Sequence, residues 1–140
     1  MNTAIFSQIN WLAVLAAGLA YFVLGALWYS KVLFGTKWGQ LHAVNMQDPN
    51  AKKGLGGMML MSFLLMILTA IGLALLVVRM NLTLLQSGIK IGLITGLCFG
   101  AASVSISFLY LRKPSALFII DGGYQLIGNI LAGIILVLWR

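Results

Sequence analysis

The sequence predicts an all-α integral membrane protein. It reads as one domain over residues 1–140, a bundle of four transmembrane helices with a short interfacial amphipathic helix after the first span. Three observations predict this fold. The 140-residue chain is 61% hydrophobic and 8% charged, with a mean hydropathy of +1.04, whereas a soluble domain carries about 25% charged residues. Four apolar runs along it are long enough to cross a membrane. Inside the third run, Gly88, Gly92, Gly96 and Gly100 recur at four-residue spacing, and Ser103 and Ser107 continue the line.

The first span is read over about 9–29, because Ile9 to Tyr29 gives 21 residues without a charge. Met1 to Gln8 holds no Lys or Arg, so the positive leader of a signal peptide is missing and the run is read as a span. Asn10-Trp11 and Trp28-Tyr29 mark its ends, since amphipathic rings prefer the headgroup level. Over about 31–45, Phe34, Trp38 and Leu41 recur at helical spacing among Lys31, Lys37, Gln40 and His42. That pattern fits a helix lying in the interface, with Trp28, Tyr29, Phe34 and Trp38 as an interfacial aromatic segment. The alternative is that the first span runs on into water for two turns. Asp48-Pro49-Asn50 is a turn signal before the second span.

Gly57 to Val78, the second span, is 22 uncharged residues, and its methionines read as apolar filling rather than a binding face. The stretch from Arg79 to Gln86 is too short for more than a tight connection, so spans two and three are expected to be antiparallel neighbours. The third span runs over about 87–111. Pro114 ends the connection, Ser115 is a candidate cap, and the fourth span runs over about 116–139 with Arg140 as an interfacial anchor.

A step of four residues turns about 400°, so the glycine line drifts slowly around its helix and covers about 18 Å from Gly88 to Gly100. Lipid offers little hydrophobic gain for helix pairing, so close backbone approach at small residues must supply it. The third span is therefore expected to be the packing spine. In the fourth span, Asp121, Gln125 and Asn129 share a face at i, i+4 and i+8. Folding spans three and four into a hairpin puts Asp121 level with Ser105, Gln125 with Ala101, and Asn129 with Leu97. Serine hydroxyls would then hydrogen-bond the carboxyl group, each worth about 1 kcal/mol. In the competing arrangement the fourth helix starts after Asp121, which becomes an N-cap; Gly122 to Trp139 is still 18 residues, about 27 Å of helix.

Nine Lys and Arg oppose two acids, a formal charge of +7. The basic residues fall between apolar runs rather than on one patch, so they read as topology signals and contacts with anionic lipid, not nucleic acid. Six lie in the 31–53 and 112–113 connections and three (Arg79, Lys90, Arg140) on the opposite side. The positive-inside rule then places both termini on the non-cytoplasmic side. His42 and Cys98 are the single histidine and single cysteine, so neither a metal centre nor an intrachain disulfide is expected. No nucleophile–base pair or phosphate-binding loop is present, no cofactor is implied, and an enzyme is the least supported class.

Gly25-Ala26-Leu27-Trp28-Tyr29-Ser30, followed by Leu33-Phe34-Gly35 and Trp38, resembles the signature of a bacterial and fungal membrane family, domain of unknown function 1761. Asp121-Gly122-Gly123-Tyr124 resembles that family's other recurring segment. Members often carry proline after the serine of the first motif, where Lys31 stands here. The resemblance implies four spans, a bacterial inner membrane, and a site shared by the aromatic segment and the Asp121 to Tyr124 segment. It implies no activity.

Two functions are expected from this reading. The first is an oligomeric structural, assembly or lipid-organising component, since the informative residues are packing and interface residues. Self-association is expected because a bundle of four short helices has few internal surfaces for Gly18, Gly25 and the glycine line to share. The second is a small transporter or channel with a polar path past Asp121, Gln125 and Asn129.

Overall fold

The computed structural model describes residues 3–44 and 48–140. All regular elements among the described residues are helices, four of them long and apolar enough to cross a membrane. A 3-10 turn at Thr3–Gln8 leads to α1 (Trp11–Trp28). Asn10 caps α1, its side chain accepting from the amides of Leu12 and Ala13 at 3.1 and 3.2 Å.

Helix α1 ends at Trp28 without a proline. The amide of Phe34 bonds the Trp28 carbonyl and that of Gly35 bonds Ser30, closing a tight turn. A Cβ on Gly35 would lie 2.8 Å from the Ser30 carbonyl, so the turn needs glycine there. The interfacial helix is shorter than expected. Helix α2 covers Gly35–Leu41, residues 31–34 are turn, and Asn45, the expected end, lies outside the described residues.

Helix α3 (Leu55–Arg79) starts two residues earlier than the sequence predicts, from Gly54 at φ 79°. The third span, Leu85–Tyr110, is one rod of three pieces. These are α4 (Leu85–Ile94), a π-helical segment Thr95–Ala101, and α5 (Ala102–Tyr110). Helix α6 (Ser115–Leu138) follows Pro114. Ser115 is its first residue rather than its cap, and makes no capping hydrogen bond.

The centre of the bundle is α6, not the third span. Half of α6's apolar stretch is buried, against 22% for the third span, and every other span packs on α6. The reason is composition: Gly122, Gly128, Ala132 and Gly133 let neighbours approach α6 from several sides. The glycine line is one of those approaches. A Cβ on Gly88 would lie 2.8 Å from the Gly133 carbonyl, and one on Gly96 would lie 2.8 Å from the Leu126 Cα. Gly92 meets the backbone of Asn129 and Ile130. Gly18 packs on Ile67 and Gly25 on the Tyr124 ring, so these faces are used within the protomer. Gly18, Gly25 and the glycine line are therefore not spare faces, while Gly56, Gly57 and Gly72 of α3 face open space.

Two further expectations change. Spans two and three are antiparallel, but they touch only sparsely, and a cleft separates them. Ser103 and Ser107 leave the packing line. Both are exposed, and the Ser107 hydroxyl donates to the Ser103 carbonyl. A π-helical turn holds more residues than an α turn, so the contact line resumes one residue late, with Ala101 against Gly122 and Phe108 against Phe118.

At the end of the bundle holding Asn10 and Trp139, Ala13, Val14, Ala17, Leu73, Val77 and Leu136 form a buried apolar core. The Asn10 side chain donates to the Trp139 carbonyl at 3.1 Å, and Arg140 donates to Asn81 at 2.7 Å. The polar and aromatic residues gather in the middle and at the other end.

Candidate functional site

The two sequence segments flagged as a shared site meet at the α2 end of the bundle. The turn after α1 swings Tyr29 and Trp38 over α6, and the Tyr29 hydroxyl donates to Asp121 Oδ1 at 2.5 Å. The Trp38 indole donates to Asp121 Oδ2 at 3.4 Å. Beside them the Trp28 indole donates to the Ile120 carbonyl at 3.0 Å. Asp121 is 8% exposed, held by two uncharged donors from the first span and its following helix.

This overturns both sequence readings of Asp121. It lies in the second turn of α6, past the helix start, so it is not an N-cap. Its partners are Tyr29 and Trp38, not the serines of span three. An aromatic chain extends from the lock: Tyr29 on Trp38 at 5.6 Å, Trp38 on His42 at 4.4 Å, and His42 near Phe108 at 6.0 Å. Phe34 stacks on Trp28 at 4.9 Å. The aromatic segment therefore clamps α2 to α6 rather than lying apart in the interface.

Gln125 and Asn129 belong to a separate cluster at mid-depth. They lie ten and fourteen residues past Ser115, about 15 and 21 Å along a helix of about 36 Å. The Tyr21 hydroxyl donates to Gln125 Oε1 at 2.6 Å. Asn129 Nδ2 donates to the Tyr21 oxygen at 3.2 Å and to the Gln125 carbonyl at 2.8 Å. The Thr95 hydroxyl reaches Asn129 Oδ1 at 3.3 Å. Polar groups at this depth are costly unless paired, and among the described residues these pair with one another except at the Gln125 NH2 group.

This cluster floors the cleft between spans two and three, a cavity of about 600 Å³. Leu73 and Leu76 of α3 form one wall and Phe99 of the π-helical segment the other, with Thr69, Thr95, Gln125 and Asn129 as its polar part. A second cavity of about 190 Å³, lined by Tyr21, Met66 and Tyr124, shares Thr69 and Gln125 with it. Irregular helix at membrane depth occurs where it lines a cavity or is buried in protein, and π-helical turns are frequent at functional sites. Asp121 lines neither cavity, so the three stripe residues do not form one path.

The chain matches the family model described as Protein of unknown function (DUF1761) over residues 12–137. It belongs to that family. The match takes in both segments that build the Asp121 lock and every residue of the mid-depth network. Comparison with curated proteins and with solved structures gives no match.

Sequence reasoning missed Tyr21, Thr69, Thr95 and the role of Tyr124. Tyr21 carried a usable signal. Tyrosines of membrane spans favour the interfaces, and a buried one finds a partner for its hydroxyl. A tyrosine in the middle of span one therefore called for a polar neighbour. The cleft had no such signal, because it depends on where α3 sits.

Proposed function

We propose that the protein holds an uncharged molecule of the lipid phase in the cleft between spans two and three. This is the lipid-organising reading made specific, a binding role without a chemical step. One observation carries it: a mid-depth cavity of about 600 Å³ has apolar walls and a floor of uncharged hydrogen-bonding groups. Its volume is within the range of small-molecule sites, about 300–1,000 Å³. Leu76 and Phe99, 39% and 68% exposed, flank it on the lipid-facing surface. The Asp121 lock serves this site from a distance by fixing the first span and α2 against α6.

The test is a nitroxide at Leu76→Cys in a Cys98→Ser background, in nanodiscs. Membrane-dissolved oxygen should relax it strongly and a water-soluble nickel complex hardly at all. Strong relaxation by the nickel complex would mean a water-filled path, and the transporter reading would replace this one. We also place both chain termini, which meet where Asn10 bonds Trp139, on the non-cytoplasmic side of a bacterial inner membrane, which puts the 31–53 and 112–113 connections against anionic lipid. Labelling of Ser7→Cys in intact cells (Cys98→Ser) by an impermeant maleimide is expected; labelling only after lysis would reverse the topology.

A further inference from the structure

The hydrogen-bond arithmetic of the cleft floor narrows the ligand further, and this inference rests on the binding role proposed above. Asn129 Nδ2 must be the amide nitrogen, because it lies 2.8 Å from the Gln125 backbone carbonyl, which can only accept. The same nitrogen donates to the Tyr21 oxygen. The single hydroxyl hydrogen of Tyr21 is then directed to Gln125 Oε1 at 2.6 Å, the backbone oxygen lying at 3.5 Å. Gln125 is thereby oriented, with its oxygen engaged and its NH2 group left over.

That NH2 group has no acceptor among the described residues, and it is not sealed in the protein, where His42 Nε2 is the buried atom lacking a partner. Gln125 lines both cavities, so they are the surroundings its unpaired donors can reach. The threonine hydroxyls of the floor compete poorly as donors. Thr69 donates to the Leu65 carbonyl at 3.1 Å, and the one Thr95 hydrogen is shared between the Ile91 carbonyl at 2.8 Å and Asn129 Oδ1 at 3.3 Å. The floor thus offers a fixed pair of amide hydrogens in apolar surroundings.

Among the described residues no Lys, Arg, His, Asp or Glu lines the cleft, so a charged headgroup would be buried there without a partner, at large cost. A molecule reaching mid-depth through the lipid must also bring little polarity of its own. A carbonyl oxygen meets both conditions, since it accepts hydrogen bonds and carries no donor to strand in hydrocarbon. We infer that the ligand is an uncharged carbonyl lipid, a long-chain ketone or ester, whose C=O accepts from Gln125 Nε2 while its chain lies between Leu73, Leu76 and Phe99.

The experiment uses the full chain in nanodiscs and two photoactivatable probes of equal length, a long-chain ketone bearing a diazirine and the same chain with CH2 in place of C=O. The ketone should label α3 and the π-helical segment about tenfold more than the hydrocarbon, the factor expected for one hydrogen bond. Gln125→Met, which keeps length and apolar packing, should reduce ketone labelling to the hydrocarbon level. Tyr21→Phe, which frees the Gln125 amide to turn, should reduce it part-way. A 13C-labelled ketone should show a carbonyl stretch lowered in frequency by the native chain and not by Gln125→Met. Equal labelling of the cleft by both probes, unchanged in Gln125→Met, would overturn the carbonyl assignment and leave the cleft as a lipid-phase site. Absence of cleft labelling by either probe would overturn both.

Discussion

Tyr29 and Asp121 show how one hydrogen bond can tie two distant sequence segments together. Replacing Tyr29 with Phe leaves Oδ1 of a buried carboxyl group without its short partner. The expected cost is about 1–3 kcal/mol, the penalty for an unsatisfied buried group. Asp121→Asn keeps an acceptor for Tyr29 but turns NH2 toward the Trp38 indole N–H, donor against donor, so about 1 kcal/mol is expected. Asp121→Leu should cost more than Asp121→Asn, because it strands both donors. Unfolding of the three variants in detergent checks the order, and equal stability of all of them with the native chain would remove the lock.

At the scale of the element, the third span separates two kinds of glycine position. Gly92 faces the backbone of Ile130, which cannot retreat, so Gly92→Leu should destabilise by about 3 kcal/mol or more. Gly100 faces the Gln125 side chain, with a Cβ 3.0 Å from its Cβ, so Gly100→Ala should cost less than Gly92→Ala. Ser103→Leu and Ser107→Leu, on the exposed side of α5, should stay within about 0.5 kcal/mol of the native chain. The π-helical segment makes a sharper test. Deleting Leu97 would remove its extra residue and turn α5 by about 100° against α6. A Phe108→Cys/Phe118→Cys pair should then lose the cross-link that the undeleted chain forms, since those rings sit 5.8 Å apart in the native arrangement.

For the whole molecule, the division of labour follows depth. One end is a buried apolar core that holds the bundle, the other end is an aromatic clamp, and the middle carries the polar floor of the cleft. The cleft lies where α3 and the third span part. Because Gly18, Gly25 and the glycine line are used internally, the protein in nanodiscs is expected to run chiefly as a monomer after cross-linking. A dominant dimer band at low protein-to-lipid ratio would show that another surface associates.

The four spans, their ends and the presence of costly polar groups in the last one were legible from residue types alone, because the bilayer imposes length and apolarity on any helix crossing it. Gly88, Gly92 and Gly96 were legible as a close-packing line for the same reason: their spacing fixes a face. Partner choice was not legible. Whether Asp121 meets Ser105 or Tyr29 depends on which neighbour leans on α6, and a local pattern contains no such information. The register beyond Gly100 depended on a π-helical turn that moves every later side chain by one position. The cleft depended on two antiparallel helices staying apart. Those three features are properties of packing in three dimensions, and they decide where this chain can take hold of a ligand.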